Sequence, residues 1–305
     1  MTMPGSNPMA FPKSNMKPTL RPWLLEILAE DLGPAGRDVS VVALGENALM
    51  PAVGEVKAKA PGILCGTFLL EEIVRAVEEV VRPGFSAASI QVRLRQKDGC
   101  RLEKGLIIAE LDGPVGILLI AERTLLNFLQ RLSGVATLTR AFVDAVHGTR
   151  CKILDTRKTT PGLRFLEKQA VQTGGGINHR FGLYDMVMLK DNHIAASRGD
   201  IRQAVQTARS LLGPTVKIEV EAATTAQVQA ALDAGADFIM LDNMPSSEMQ
   251  HCVALVNNKV PLEASGGITL ETVRAVAATG VDFISVGALT HSAPALDISM
   301  KIRIL

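Results

Sequence analysis

From Lys152 onward the chain repeats one unit: a short apolar run that ends in a charged or glycyl residue, followed in the later units by a segment of helical spacing. The runs KILDT, MVMLKD, VKIEVEA, ADFIMLDN, VPLEASGG and VDFISVGA start near 152, 186, 216, 236, 260 and 281. IRQAVQTARSLL (201–212), TAQVQAALDAG (225–235) and LETVRAVAATG (270–280) read as helices between them. Thr224 and Gln227 have capping-box spacing, and Gly235 and Gly280 stand where a left-handed residue ends a helix. A strand that is apolar along its whole length must be covered on both faces, and a helical crossover makes the next strand parallel to it. Repetition of this unit predicts an α/β fold, a closed or nearly closed β/α barrel, with a doubly wound open sheet as the alternative. No GxGxxG follows the first of these strands, which counts against a dinucleotide fold.

The first third is patterned differently. PWLLEILAEDLG (22–33) and TFLLEEIVRAVEEVVR (67–82) have helical spacing, while Ala52–Gly66 alternates and breaks at Pro61-Gly62. Ile90–Arg95 and Gly105–Leu111 read as strands, with a turn at Asp98-Gly99 between them. From Val115 to about 146 helical spacing returns, with Leu125, Leu126, Leu129 and Leu132 on one face and Ser133-Gly134 as a place to kink or break. Residues 1–18 are rich in Pro, Met and Ser and read as a loose arm, with no apolar stretch of a secretory signal.

Composition excludes several classes. A net charge of +1 and 4% aromatic residues give neither a basic field nor stacking platforms for nucleic acid. No apolar run is long enough to span a membrane. Cys65, Cys100, Cys151 and Cys252 are far apart in sequence, which predicts buried reduced thiols in a cytoplasmic protein rather than a zinc site.

In a β/α barrel, chemistry collects where the strands end. Here the strand ends carry Asp155-Thr156-Arg157-Lys158, Lys190-Asp191-Asn192-His193, Glu221, Asp242-Asn243, Glu263 with Ser265-Gly266-Gly267, and Ser285 with Gly287. His179-Arg180 follows the glycine run Gly174-Gly175-Gly176. Arg157, Lys158, Arg180 and Lys190 would converge on anions, and the glycines would let the backbone approach a phosphate. Glu221 and Asp242 suit either Mg²⁺ shared with phosphate oxygens or the hydroxyls of a sugar. This inventory predicts a phosphorylated sugar bound beside a second small anion. A Schiff-base lyase using Lys190 or Lys158, and a non-catalytic anion-binding barrel, are the rival readings.

In order along the chain, ERTLLNFLQRLSG (122–134), DTRKTTPGLR (155–164), EKQAVQTGGGINHR (167–180), VMLKDNH (187–193), IEVE (218–221), LDN (241–243), EASGGIT (263–269) and SVGALTHSAPALDIS (285–299) resemble the quinolinate phosphoribosyltransferases. The resemblance implies an N-terminal α/β sandwich over 19–127, an incomplete, open α/β barrel with phosphate-binding loops over 128–290, and a segment, 291–305, that returns to the first domain. It implies phosphoribosyl transfer from 5-phosphoribosyl 1-diphosphate (PRPP) to quinolinate with decarboxylation, Mg²⁺ as cofactor, and a homodimer with shared sites. Carried over by motif, Arg123, Arg157, Thr159, His179 and Arg180 would bind quinolinate, Arg123 across the interface. Lys158, Lys190, Glu221 and Asp242 would be catalytic, the two acids also meeting Mg²⁺ through the pyrophosphate. Ser265, Gly266, Gly267 and Gly287 would hold the 5′-phosphate.

Overall fold

The computed structural model describes residues 20–81 and 89–305, so the expected arm over 1–18 lies outside the described residues. The strands are β1 (Pro51–Ala58), β2 (Gly62–Ile63), β3 (Gln91–Leu94), β4 (Arg101–Leu102), β5 (Ile107–Pro114), β6 (Lys152–Leu154), β7 (Val187–Leu189), β8 (Ile218–Ala222), β9 (Phe238–Asp242), β10 (Leu262–Ser265), β11 (Phe283–Ser285) and β12 (Ile298–Ile304).

The first sheet is antiparallel, in the order β12-β1-β5-β3. β1 alternates buried and part-exposed positions, so Ala52, Val56 and Ala58 face the core, the pattern of a sheet covered on one side. The helix Leu70–Val81 lays Leu70, Ile73, Val74, Val77 and Val81 into that core. The strand β12 runs along β1 from Ile298 opposite Ala58 to Ile304 opposite Ala52.

The second sheet holds six parallel strands in the order β6-β11-β10-β9-β8-β7. The strands follow one another around a ring from β7 to β11, and β11 then pairs with β6. β6 and β7 do not pair, so the ring is an open barrel. Ile177 partly fills the gap: it bridges Leu154, and its N–H donates to Ile153 O at 2.8 Å. At the start of the strands, the rings of Phe238 and Phe283 meet at 6.4 Å.

Between the two sheets runs a 31-residue helix, Val115–Ala145. It passes unbroken through Ser133-Gly134, where the sequence allowed for a kink. The small residues are there for packing. Ser133 Oγ accepts from Cys65 N at 3.0 Å and donates to Cys65 O at 3.2 Å. A Cβ on Gly134 would stand 2.0 Å from Pro294 O. The expected helix over 270–280 is shorter, Val273–Ala277, whereas 201–212 is helical throughout. Thr224 caps its helix as expected, accepting from Gln227 N at 3.3 Å. Cys65, Cys151 and Cys252 are buried free thiols and Cys100 is half-buried. Among the described residues no helix is long and apolar enough to cross a membrane.

Candidate active site

The ends of the barrel strands surround a cavity of about 690 Å³. Arg157 and Lys158 follow β6, Lys190 follows β7, and Glu221 and Asp242 end β8 and β9. Ser265, Gly266 and Gly267 follow from β10, and Ser285 and Gly287 from β11; all of these line the cavity. His179 and Arg180 enter through the gap between β6 and β7 and line it as well.

A buried ion pair sets that entry. Lys168 Nζ donates to Asp155 Oδ1 at 2.6 Å and to His179 O at 3.0 Å, while His179 N donates to the same Asp155 oxygen at 2.8 Å. Asp155 and Lys168 are both sealed from solvent. Burial, resisted by Lys168, pushes the Asp155 carboxyl up to about 6. Removing either partner of such a pair leaves an uncompensated charge, a loss of about 3–5 kcal/mol. This clasp was not read from the sequence, although Asp155 precedes the loop cations and Lys168 lies one helix away.

The loop 155–164 is held by its own hydroxyls. Thr160 donates its N–H to Glu167 Oε2 at 3.0 Å and its hydroxyl to Oε1 at 2.8 Å, and Arg131 Nη2 donates to that Oε1 at 2.6 Å. Lys158 O accepts from Thr290 Oγ1 at 2.8 Å. Two expected ligands fall outside the cavity. Thr159 turns its hydroxyl to Arg164 Nε, which donates to it at 2.9 Å, so the third cation of the loop is structural. Arg123 is exposed on the long helix, away from the residues that line this cavity.

Among the cations, Arg157 Nε is buried without a hydrogen-bond partner among the described residues. Arg180 donates to Met186 O at 3.0 Å. Burial first, then the Arg157 guanidinium, pull Arg180 below its usual range. Two guanidinium groups that repel each other in a half-buried site make a receptor for an anion with two acceptor groups. Lys190 Nζ donates to Glu221 Oε2 at 2.7 Å, and Asn243 Nδ2 donates to Asp242 Oδ2 at 2.9 Å.

His179 does not offer a free nitrogen. Its Nδ1 accepts from Arg180 N at 2.6 Å, and its Nε2 faces Glu219 at 3.0 Å and Glu263 at 3.4 Å. Glu219 was missed in the sequence: two residues before Glu221 it shares a strand face with it, but an acid inside an apolar strand carries no ligand signal of its own. At the far end, Gly266 has φ +99 and a Cβ there would stand 2.1 Å from Asn243 Oδ1, so only glycine fits. A Cβ on Gly287 would lie 3.0 Å from Lys158 Cδ and 3.2 Å from His291, which places Lys158 and His291 beside the glycine cradle. His291 was assigned no role from the sequence, where it appears only within SVGALTHSAPALDIS; in the structure it ends the short helix Ala288–His291.

This geometry has close parallels. Residues 38–133 match the Quinolinate phosphoribosyl transferase, N-terminal domain, and 135–301 match the Quinolinate phosphoribosyl transferase, C-terminal domain. A probable nicotinate-nucleotide pyrophosphorylase [carboxylating] of Bacillus subtilis (strain 168) is 47% identical over 285 residues, covering 93% of this chain and 94% of its own. Quinolinate phosphoribosyltransferase [decarboxylating] 1 of Nicotiana glauca is 42% identical over 297 residues, covering 90% of this chain and 80% of its own. The solved nicotinate-nucleotide pyrophosphorylase of Francisella tularensis superposes with a TM-score of 0.85 at 36% identity, covering 95% of this chain and 98% of that one. With both domains matched over residues 38–133 and 135–301, the chain belongs to the quinolinate phosphoribosyltransferase family.

Proposed function

We propose that this enzyme transfers the phosphoribosyl group of PRPP to the ring nitrogen of quinolinate, yielding nicotinate mononucleotide, pyrophosphate and CO₂ for NAD synthesis. The observation that carries the reading is the pair Arg157–Arg180: two adjacent guanidinium groups, one with a buried unpartnered Nε, opposite a glycine cradle in one cavity.

In this reading Arg157 and Arg180 clamp the two carboxylates of quinolinate. His179 braces the clamp with its ring rather than donating to the substrate, since both nitrogens are engaged within the protein. That revises the direct His179 contact expected from the motif. Ser265, Gly266, Gly267 and Gly287 hold the 5′-phosphate, with Lys158 and His291 beside them. Glu221 and Asp242 orient the ribose hydroxyls.

Those two carboxylates also fit Mg²⁺: they are hard oxygen donors at neighbouring strand ends, the kind Mg²⁺ accepts alongside substrate phosphates. Held there with PRPP, the ion would supply positive charge to neutralise the diphosphate. As the bond from C1′ to pyrophosphate breaks, positive charge develops on the ribose ring, and the pyridine nitrogen supplies the electron pair for the new bond. Lys190 and Lys158 steady the anions on either side without forming a covalent intermediate. Arg123, exposed on the long helix, completes the clamp of a second copy, making the homodimer the working unit. The buried free thiols suit a cytoplasmic setting.

The test is release of CO₂ and nicotinate mononucleotide from quinolinate, PRPP and Mg²⁺, with nicotinate as competing acceptor. Turnover of quinolinate alone is expected. Turnover of nicotinate instead would keep the phosphoribosyl half and remove the dicarboxylate clamp.

A further inference from the structure

Arg157 and Lys158 of the clamp side follow β6, whereas Gly287 and His291 of the phosphate side follow β11. The ladder between these strands ends at Leu154, whose carbonyl accepts from Val286 N at 3.0 Å. Past that bond the two segments are joined through side chains. Three residues make the join from outside the cavity: Arg131 on the long helix, Glu167 in the first turn of the helix Arg164–Gly174, and Thr290 beside His291. They stand in the motifs ERTLLNFLQRLSG, EKQAVQTGGGINHR and SVGALTHSAPALDIS, yet none lines the cavity and none has a part in the steps proposed above.

Their bonds close into a ring. Thr290 Oγ1 donates to Lys158 O at 2.8 Å, and Thr290 O accepts from Arg131 Nη2. Arg131 Nε and Nη2 donate to Glu167 Oε1 at 3.0 and 2.6 Å, and Nη1 donates to Ala293 O at 3.0 Å. Glu167 accepts from Thr160 N at 3.0 Å and from Thr160 Oγ1 at 2.8 Å, and the backbone through Thr159 leads back to Lys158. The Glu167 side chain is fully buried, and the Arg131 side chain is 25% exposed. All three guanidinium nitrogens and both carboxylate oxygens are engaged, so the network is satisfied. A buried ion pair often stabilises a fold no better than apolar residues of the same size. Apolar residues, though, would not hold a carbonyl, an N–H and a hydroxyl from separate segments in one geometry. The planar fork of an arginine does.

We propose that Arg131, Glu167 and Thr290 are positioning residues that set the dicarboxylate clamp at a fixed distance from the phosphate cradle, and so the pyridine nitrogen at a fixed distance from C1′. The inference rests on the two-substrate reading above. With the ring broken, each substrate still finds its own half of the site. What is lost is their alignment, and a misplacement of about 1 Å slows a transfer of this kind about 100-fold.

Steady-state kinetics of the full chain with quinolinate, PRPP and Mg²⁺ test this. Arg131→Lys keeps a charge beside Glu167 but loses the fork. Its kcat should fall about 100-fold, with KM for each substrate within about threefold of the parent. Thr290→Val leaves the ion pair in place and removes only the hydroxyl, and should show the same split at about tenfold. Thr290→Ser keeps the hydroxyl and should match the parent within about twofold. If Arg131→Lys does not fold, the two Thr290 variants carry the test. A purely structural role would lower the urea midpoint and leave kcat of the folded variants at the parent value. That result, or a rise in KM that accounts for the whole loss, overturns the proposal while the parent still turns over quinolinate. A parent enzyme with no turnover of quinolinate overturns the two-substrate reading and the proposal with it.

Discussion

Lys190, just after β7, holds Glu221 on the neighbouring strand β8 at the cavity mouth, Nζ to Oε2 at 2.7 Å. The lysine is 45% exposed and the acid 13%, so the pair sits where water is thinning but not absent. Glu221→Gln removes the acid and frees the lysine. The KM for Mg²⁺-PRPP should rise about tenfold while quinolinate affinity changes less than about twofold. Calorimetry that finds the same loss for both ligands would contradict the role given to Glu221.

Gly266 and Gly267 separate space from backbone conformation. Both have positive φ, but a Cβ on Gly266 meets Asn243 and one on Gly267 meets nothing within 4 Å. Gly266→Ala should weaken inorganic phosphate and PRPP binding about 100-fold through displaced Asn243. Gly267→Ala should cost about 1 kcal/mol of stability through strain alone. Comparable binding loss in the two variants would show that clash is not the reason for glycine at 266.

The long helix makes its own prediction. Gly134→Ala drives a methyl into Pro294 O, a backbone atom that cannot rotate aside. Though alanine favours helix, the variant should lose at least about 1–3 kcal/mol, read as a lower urea midpoint. A gain in midpoint would mean that the segment before β12 moves freely.

Arg123 is argued to serve a neighbouring copy. Arg123→Ala and Lys190→Ala should each be nearly inactive alone, and mixed subunits should regain up to about a quarter of parent activity, as random pairing leaves some sites intact. Verified heterodimers with no recovery would sink the shared site.

Acid sensitivity has a local source at Asp237. Burial works against its ionised form, but Arg209 Nη2 at 2.6 Å, Ile218 N at 2.9 Å and Lys217 Nζ at 2.9 Å outweigh that and hold the carboxyl below its usual range. A depressed folded value contributes stability above the unfolded value of about 4, and that contribution disappears as pH falls through the folded value. Asp237→Asn should therefore lower the urea midpoint at pH 7, with the gap closing below about pH 4. A gap of constant size down to pH 3 would assign the effect to packing.

What could be read before the structure, and what could not, divides along physical lines. The six barrel strands announce themselves because each is a short, largely apolar run followed closely by Arg157, Lys190, Glu221, Asp242, Ser265 or Gly287. Two-residue strands such as β2 and β4 have no period to detect. Thr159 was expected as a ligand from the motif alone, whereas its hydroxyl accepts from Arg164, a contact five residues along that depends on how the loop turns. Glu219 and His291 were passed over for a shared reason. Their roles depend on partners far off in the chain, and spacing carries no information about those.

The pairing of β12 with β1 has a consequence in time. A chain emerging from the ribosome presents β1 early, but the partner for its open edge is not made until residue 304 has been added. Until then a bare strand edge is offered to any other nascent chain. The sheet that is synthesised first is thus the last to be sealed.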